Sequence, residues 1–345
     1  MRATYHKYIL DFKRPSGTSR GVLTKKETWF LKVTENGNTG IGECGLLRGL
    51  SIDDRDDYEE MLKYTCDNIN KKPEVLYDAL KEFPSIQFGL EQALRSLKAE
   101  NPFILFPSLF TEGNKAIKIN GLIWMGDPVF MKDQIQQKID EGYDCIKMKI
   151  GAIDFIEEIA LLDFIRTNFS KDLIQLRVDA NGAFRPEKAL QRLKTLSEYD
   201  IHSIEQPIKQ GQPLEMARLC RQTPLPIALD EELIGIFDVT KKKELLQIIN
   251  PQYIILKPSL IGGFKGTDEW IELAENQNIG WWITSALESN VGLNAIAQYT
   301  FMKNVEMPQG LGTGSLYTNN LQSPLKVEAG FLRYEKNKKW NFNIS

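Results

Sequence analysis

Four stretches decide the fold: LIQLRVDAN (173–181), IHSIEQP (201–207), PIALDEE (226–232) and YIILKPS (253–259). Each is a short, largely apolar run that closes on one chemically loaded residue: Asp179, Glu205, Asp230 and Lys257. The steps between them are 26, 25 and 27 residues. A fifth stretch, CIKMKIG (145–151), puts Lys149 thirty residues before Asp179, with Lys147 two positions earlier. A strand, a helix and two short loops occupy roughly 25–40 residues, so this is the period of a βα repeat. In a (β/α)8 barrel the C-terminal ends of successive strands converge on one mouth. Three carboxylates and two or three lysines are therefore expected to meet there.

The rest of the chain fits around that barrel. The 345 residues suffice for a barrel of about 250 plus a smaller domain. Residues 1–105 read as an α+β capping domain. ETWFLKVTE and TGIGEC flank Asn36-Gly37, a hairpin signal, because both turn positions accept positive φ. Helices are expected over 53–70, 74–83 and 85–99, and the proline-containing NPFILFPSLF (101–110) is a connector. The barrel is expected over 106–314. AIKINGLIW is its first strand, and Asp127-Pro128 starts a helix that stops at Gly142. Phe155, Ile156, Ile159, Leu162 and Ile165 form a core-facing stripe on the second helix. Thr267 is the expected N-cap of the sixth helix, GWWITSAL is strand seven and GLGTG (310–314) strand eight. Residues 315–345 are expected to return to the capping domain as one or two strands. The fold class is α/β: a modified TIM barrel with an N-terminal α+β cap.

Composition excludes several functions. Hydrophobic residues make up 42% and charged residues 26%, ordinary for a soluble domain. A net charge of −3 gives no electrostatic case for nucleic acid or an anionic membrane as partner. The four scattered cysteines contain no CxxC pair, which argues against a disulfide framework or a zinc site. The N-terminus has no apolar signal region and no stretch approaches 18 apolar residues, so a cytoplasmic protein is expected. Nothing in the sequence points to an oligomeric state.

Asp179, Glu205 and Asp230 end three consecutive strands about 4.8 Å apart, so their side chains can share one ion. An acid after a strand also serves as a helix N-cap, but three in register make that a poor common explanation. All-oxygen ligation selects Mg²⁺, or Mn²⁺, over zinc. Lys147 and Lys149 point to one face of their strand, and Lys257 faces them from the far side of the ion. A lysine beside a divalent cation and another ammonium has its charged form disfavoured, which suits a general base. His202 is three positions before Glu205, so alternation sends it to the helix side as a structural residue. With only two histidines, no Ser-His-Asp triad forms, and no phosphate-binding loop is present. The glycines at 310–314 can instead bring backbone N–H groups to a substrate carboxylate. Bases on both faces of a metal suit abstraction of a proton α to a carboxylate, with the ion stabilising the enediolate.

The motifs KMK (147–149), VDAN (178–181), IEQP (204–207), LDEE (229–232) and ILKP (255–258) resemble the five barrel motifs of the enolase superfamily. They are most similar to its muconate lactonizing subgroup. SIQFGLEQAL (85–94), SALESNVGLNAIAQ (285–298) and QGLGTG resemble the o-succinylbenzoate synthases within it. That resemblance implies a syn-dehydration of 2-succinyl-6-hydroxy-2,4-cyclohexadiene-1-carboxylate to 2-succinylbenzoate in menaquinone synthesis. It implies Lys149 as base and then acid, a protonated Lys257 stabilising the enediolate, and Asp179, Glu205 and Asp230 as ligands of Mg²⁺. Lys147, Asn181, Ser285 and Gly312 are implied substrate contacts, and Glu231 a support behind the ligands. Loops near Gly17–Arg20 and Leu47–Leu50 are implied to close the site. Racemisation of N-succinyl or other N-acyl amino acids, and cycloisomerisation of a muconate, would use the same metal and lysines, so the sequence leaves both open.

Overall fold

The computed structural model describes residues 1–18 and 21–343. The capping domain is an antiparallel sheet of β1 (Arg2–Thr18), β2 (Gly21–Glu35) and β3 (Asn38–Cys44), in that order. The β2–β3 turn is Asn36-Gly37, both at positive φ (50° and 83°). Helices α1 (Tyr58–Asp67), α2 (Pro73–Ala79) and α3 (Pro84–Lys98) follow. The first starts later than expected because Asp53 is used elsewhere: its buried carboxylate accepts the Ser85 N–H (2.9 Å) and hydroxyl (2.6 Å) at the start of α3. Helix α3 lies directly on β3. A Cβ at Gly42 would stand 1.9 Å from the Gly89 carbonyl oxygen, so TGIGEC needs its glycines for this approach.

Next come β4 (Ile117–Lys118), β5 (Gly121–Ile123), α4 (Pro128–Asp140), β6 (Cys145–Lys149), α5 (Phe155–Asn168) and β7 (Gln175–Asp179). They are followed by α6 (Pro186–Ser197), β8 (Ile201–Glu205), α7 (Pro213–Gln222), β9 (Ile227–Leu229) and α8 (Val239–Ile249). The last repeats are β10 (Tyr253–Leu256), α9 (Pro258–Ile261), α10 (Gly263–Glu275), β11 (Gly280–Ile283) and α11 (Asn290–Met302). Strands β5 to β11 form one seven-stranded parallel sheet in sequence order. The eighth position is filled by residues 309–310, which bridge Ile119 on one side and Thr284 on the other. The curled sheet thus closes into the expected modified barrel, although GLGTG supplies a bridge and a 3₁₀ turn (Thr313–Ser315) rather than a full strand.

Several expectations need correction. AIKINGLIW is split: β4 pairs with β13 (Phe331–Tyr334), itself paired with β12 (Leu325–Glu328), and only β5 enters the barrel. The chain after the barrel divides its contacts. Residues 316–319 lie along β1, where Lys13 N donates to Leu316 O (2.8 Å), while β12 and β13 cover the β4 side. Ile156 is not in the helix stripe; it is 78% exposed, and Glu158 is buried instead, accepting the Gly151 N–H at 2.5 Å. Thr267 does not cap a helix. It sits inside α10 with its hydroxyl donating to Gly263 O, four residues back, at 2.7 Å. Asp127 does cap α4, accepting from Phe130 N at 3.0 Å. No helix among the described residues is long and apolar enough to cross a membrane.

Candidate active site

The sheet register explains how the site is assembled. Lys149 pairs with Asp179, and Asp179 with Glu205, so three loaded residues share one level at the C-terminal rim. Glu205 pairs with Ala228, which places Asp230 just beyond the end of β9. Lys257 follows β10 directly. In sheet order β6 and β10 are four strands apart, so Lys149 and Lys257 come from opposite walls of an eight-position barrel.

Lys147, Lys149, Asp179, Asn181 and Lys257 line one cavity of about 610 Å³ between cap and barrel mouth, with Glu205 and Asp230 buried behind its wall. The cap contributes Leu47–Leu50 to its lining; of the other expected closing loop, Ser19 and Arg20 lie outside the described residues. Asp179, Glu205 and Asp230 are each 2% exposed or less. Lys147 Nζ donates to Glu205 Oε2 (2.5 Å) and Asp179 Oδ2 (3.2 Å). Lys149 Nζ donates to Asp179 Oδ2 (2.9 Å) and Asn181 Oδ1 (2.6 Å), and Lys257 Nζ to Asp230. Asn181, at φ 43°, turns back so that its N–H reaches Asp179 Oδ1 (3.0 Å) and its side-chain NH₂ reaches Glu231 (3.1 Å). Glu231 thus braces Asn181, from the first turn of a 3₁₀ segment rather than from a strand. Gln206, which no sequence signal singles out, accepts the N–H groups of Asp230 (3.1 Å) and Glu232 (3.3 Å), locking the loop that carries Asp230.

The protein's own charges favour the ammonium forms of two of the lysines. Burial disfavours the Lys147 ammonium, but Glu205 and Asp179 outweigh it and hold the pKa above the ordinary lysine value. Lys257 is likewise raised, because Asp230 and Glu231 outweigh its burial. Neither lysine is pushed towards neutrality by the protein alone, since the carboxylates facing them favour the charged form. Asp179 is buried too, yet Lys149, Lys147 and Lys257 together hold it well below the usual carboxylate range. Glu205 differs: burial, with repulsion from Asp179 and Asp230, exceeds the help of Lys147 and pushes it up to about 7.

That imbalance bears on the expected ion. Among the described residues no three acidic, histidine or cysteine side chains stand close enough to form a ready cage, because each carboxylate is drawn to an ammonium. The donor set nevertheless suits a hard divalent cation: three buried carboxylates and no histidine or cysteine. Glu205 Oε1 is buried without a partner among the described residues, and the raised Glu205 marks a deficit of positive charge at that point.

Two other expected contacts fare differently. Gly312 lines the cavity, and a Cβ there would meet Ile119 Cδ1 at 3.5 Å, so the glycine leaves only modest room. Ser285 also lines it, but its hydroxyl donates to Glu288 (2.7 Å) and accepts from Leu287 N (3.1 Å), so its proton is committed within the fold. His202 is not on the helix side. A register shift between Leu176 and Arg177 makes it the extra residue of a bulge in β8. Its ring sits 5.0 Å from Tyr253 and 6.4 Å from Trp282, low in the barrel interior. Burial first, and then Arg177, lower its pKa to about 4. Arg177 itself is fully buried, 4.2 Å over the Trp282 ring, and donates to Pro308 O (2.9 Å).

With this geometry in place, comparison with known proteins is direct. The family described as "Enolase C-terminal domain-like" matches residues 131–337, and "MenC, N-terminal domain" matches residues 1–97. An o-succinylbenzoate synthase from Desulfotalea psychrophila is 49% identical, over 96% of this chain and 98% of that one. The chain belongs to the enolase superfamily, among its o-succinylbenzoate synthases. The crystal structure of MenC from the same organism superposes with a TM-score of 0.86 at 45% identity, covering 96% of this chain and 99% of that one. A more distant o-succinylbenzoate synthase from Vibrio cholerae is 27% identical over 93% of this chain and 92% of its own. Enzymes of this superfamily act on small molecules with a divalent metal, which agrees with the donor set at the barrel mouth.

Proposed function

We propose that this chain is a cytoplasmic, Mg²⁺-dependent o-succinylbenzoate synthase that dehydrates 2-succinyl-6-hydroxy-2,4-cyclohexadiene-1-carboxylate to 2-succinylbenzoate in menaquinone synthesis. The observation that carries the reading is the placement of Lys149 and Lys257 on opposite walls of one cavity, with Asp179, Glu205 and Asp230 between them. Asp179, Glu205 and Asp230 would hold the ion, which when bound supplies positive charge to the substrate carboxylate as it becomes an enediolate. Mn²⁺ fits the same oxygen set.

The chain's own residues divide the proton work. Lys149 Nζ takes the proton from the ring carbon that carries the carboxylate. For this it must first give up its own proton and its bond to Asp179. The C–H electron pair moves into the ring carboxylate, giving the enediolate. Lys149 then returns that proton to the hydroxyl on the neighbouring carbon. The C–O bond breaks, water leaves and the ring becomes aromatic. One lysine serving both steps requires hydrogen and hydroxyl to leave from the same face. Lys257, kept charged by Asp230 and Glu231, stabilises negative charge from the opposite face. Lys147, charged and tied to Glu205 and Asp179, orients the acids, and Asn181 holds Lys149 in line. The cap residues Leu47–Leu50 close the cavity over the substrate. We read 1–105 with 315–345 as the cap and 106–314 as the barrel.

Incubation in D₂O with Mg²⁺ tests the reading. The hydroxycyclohexadiene acid should be converted rapidly to the aromatic product, and N-succinyl amino acids should exchange their α-proton slowly or not at all. Fast exchange of the amino acids beside negligible dehydration would replace the lyase with a racemase.

A further inference from the structure

One group on the cavity floor has no task in the fold. Asn120 precedes β5, and its backbone N–H donates to Gln309 O (3.0 Å), which fixes it at the seam where residues 309–310 close the barrel. Alternation puts Asn120, Leu122 and Trp124 on the cavity face, while Ile119 and Ile123 enter the core between sheet and helices. Leu122 pairs with Lys147, so Asn120 stands one inward position below Lys147. The residue is only 5% exposed. Its Oδ1 is buried without a hydrogen-bond partner among the described residues, and its Nδ2 donates to none of them.

Other buried amides of the barrel are spent. Gln206 accepts two N–H groups and donates to Ile208 O and Glu232. Gln298 accepts from Leu105 and Phe106 and donates to Phe103 O and Asn294. Gln309 accepts from Ile283 N and donates to Met307 O. A buried carboxamide that makes no such bonds costs stability, and its undonated Nδ2 is the group that an acceptor oxygen in the cavity can meet. Asn120 stands beside Gly312, where an added Cβ would lie 3.7 Å from the Asn120 carbonyl oxygen, on the wall away from Glu205 and Asp230. This wall is open to a second substituent of a substrate whose ring carboxylate is held near the three acids. Ser285, with its proton committed to Glu288, is not free to donate there.

We propose that Asn120 is a substrate-contact residue whose side-chain Nδ2 donates a hydrogen bond to an oxygen of the succinyl arm. The inference rests on the dehydratase reading above. It assigns recognition of the arm to strand one of the barrel, not to the acids and lysines that handle the ring carboxylate.

The test pairs ligand affinity with stability in the full chain loaded with Mg²⁺. Asn120→Leu keeps the approximate volume and removes the amide. It should weaken binding of 2-succinylbenzoate by about tenfold or more, the usual worth of a good hydrogen bond in a dry site. Binding of benzoate, which lacks the arm, should be unchanged. KM should rise with a smaller change in kcat, and the melting temperature without ligand should hold or rise. Unchanged affinity for 2-succinylbenzoate would overturn the inference, and so would a marked loss of melting temperature with affinity retained. If the bulk of leucine unfolds the chain, Asn120→Ala, which only deletes atoms at the cavity floor, is read by the same criteria. Wild-type protein that neither binds nor forms 2-succinylbenzoate would instead overturn the dehydratase reading, and this inference with it.

Discussion

Among single residues, the two lysines of KMK do different work although they point the same way. Lys147 is pinned between Asp179 and Glu205 and held charged. Lys149 shares Asp179 but also reaches Asn181 at the cavity rim. Replacing Lys147 by Met should therefore cost stability as well as activity, because it leaves Glu205 and Asp179 buried with less positive charge; about 3–5 kcal/mol in urea unfolding is expected. A cost under about 1 kcal/mol would show that the pair is not energetically joined. His202 supplies a pH prediction. Its folded pKa of about 4 lies below the unfolded value near 6.5, so between those values the unfolded chain binds more protons. Stability is full above about pH 6.5 and declines as pH falls through about 4. His202→Phe should flatten that part of the stability profile, and an unchanged slope would mean the imidazole is not the titrating group. The loaded residues are legible in the sequence because each closes a hydrophobic run at a fixed period. The place of His202 is not, because one bulge inverts alternation and nothing local in IHSIEQP announces it.

Elements show how the cap is tied to the barrel. Glu43 lies near the end of the glycine-rich strand β3 and is fully buried. Across the interface it accepts Ser289 N (2.8 Å), the Ser289 hydroxyl (2.5 Å) and Gly292 N (2.8 Å), so a cap carboxylate serves the N-terminus of barrel helix α11. Lys26 lies behind it, 4% exposed, with Glu43 and Glu288 as the charges nearest to matching its own. Glu43→Ala should cost about 3–5 kcal/mol, since it orphans a helix terminus and removes one of two counter-charges of a buried ammonium. Equilibrium unfolding measures this, and a loss below about 1 kcal/mol would contradict the interface role. By contrast Ile156→Lys, on the exposed face of α5, should stay within about 0.5 kcal/mol of the parent. Periodicity misplaces Ile156 because Phe155, Ile159, Leu162 and Ile165 already satisfy the helical repeat without it. Nor does it show that Asp53 leaves α1 to serve α3, a contact between residues 32 positions apart.

For the molecule as a whole, strand order and period are readable because a parallel barrel repeats one unit, and every repeat carries the same signal. The closing seam is less readable. Strand one is split between β4 and β5, and strand eight is reduced to a bridge, so neither offers the long apolar run that periodicity detects. The residues at that seam, Asn120 above all, escape a sequence reading for the same reason. A divalent ion that binds only the folded chain should stabilise it throughout. At about 100 times its dissociation constant Mg²⁺ is expected to add about 2.7 kcal/mol, and EDTA should reverse the gain. An identical melting temperature with and without Mg²⁺ would argue against an ion at Asp179, Glu205 and Asp230.

The whole mechanism turns on Lys149 moving the proton in an ion-dependent dehydration. The decisive experiment is single-turnover formation of 2-succinylbenzoate by the parent and by Lys149→Ala, both with saturating Mg²⁺ and substrate. A loss of about 10²–10⁴-fold is expected in the variant, the usual contribution of one acid–base group. A variant rate within tenfold of the parent would remove Lys149 from the proton transfer.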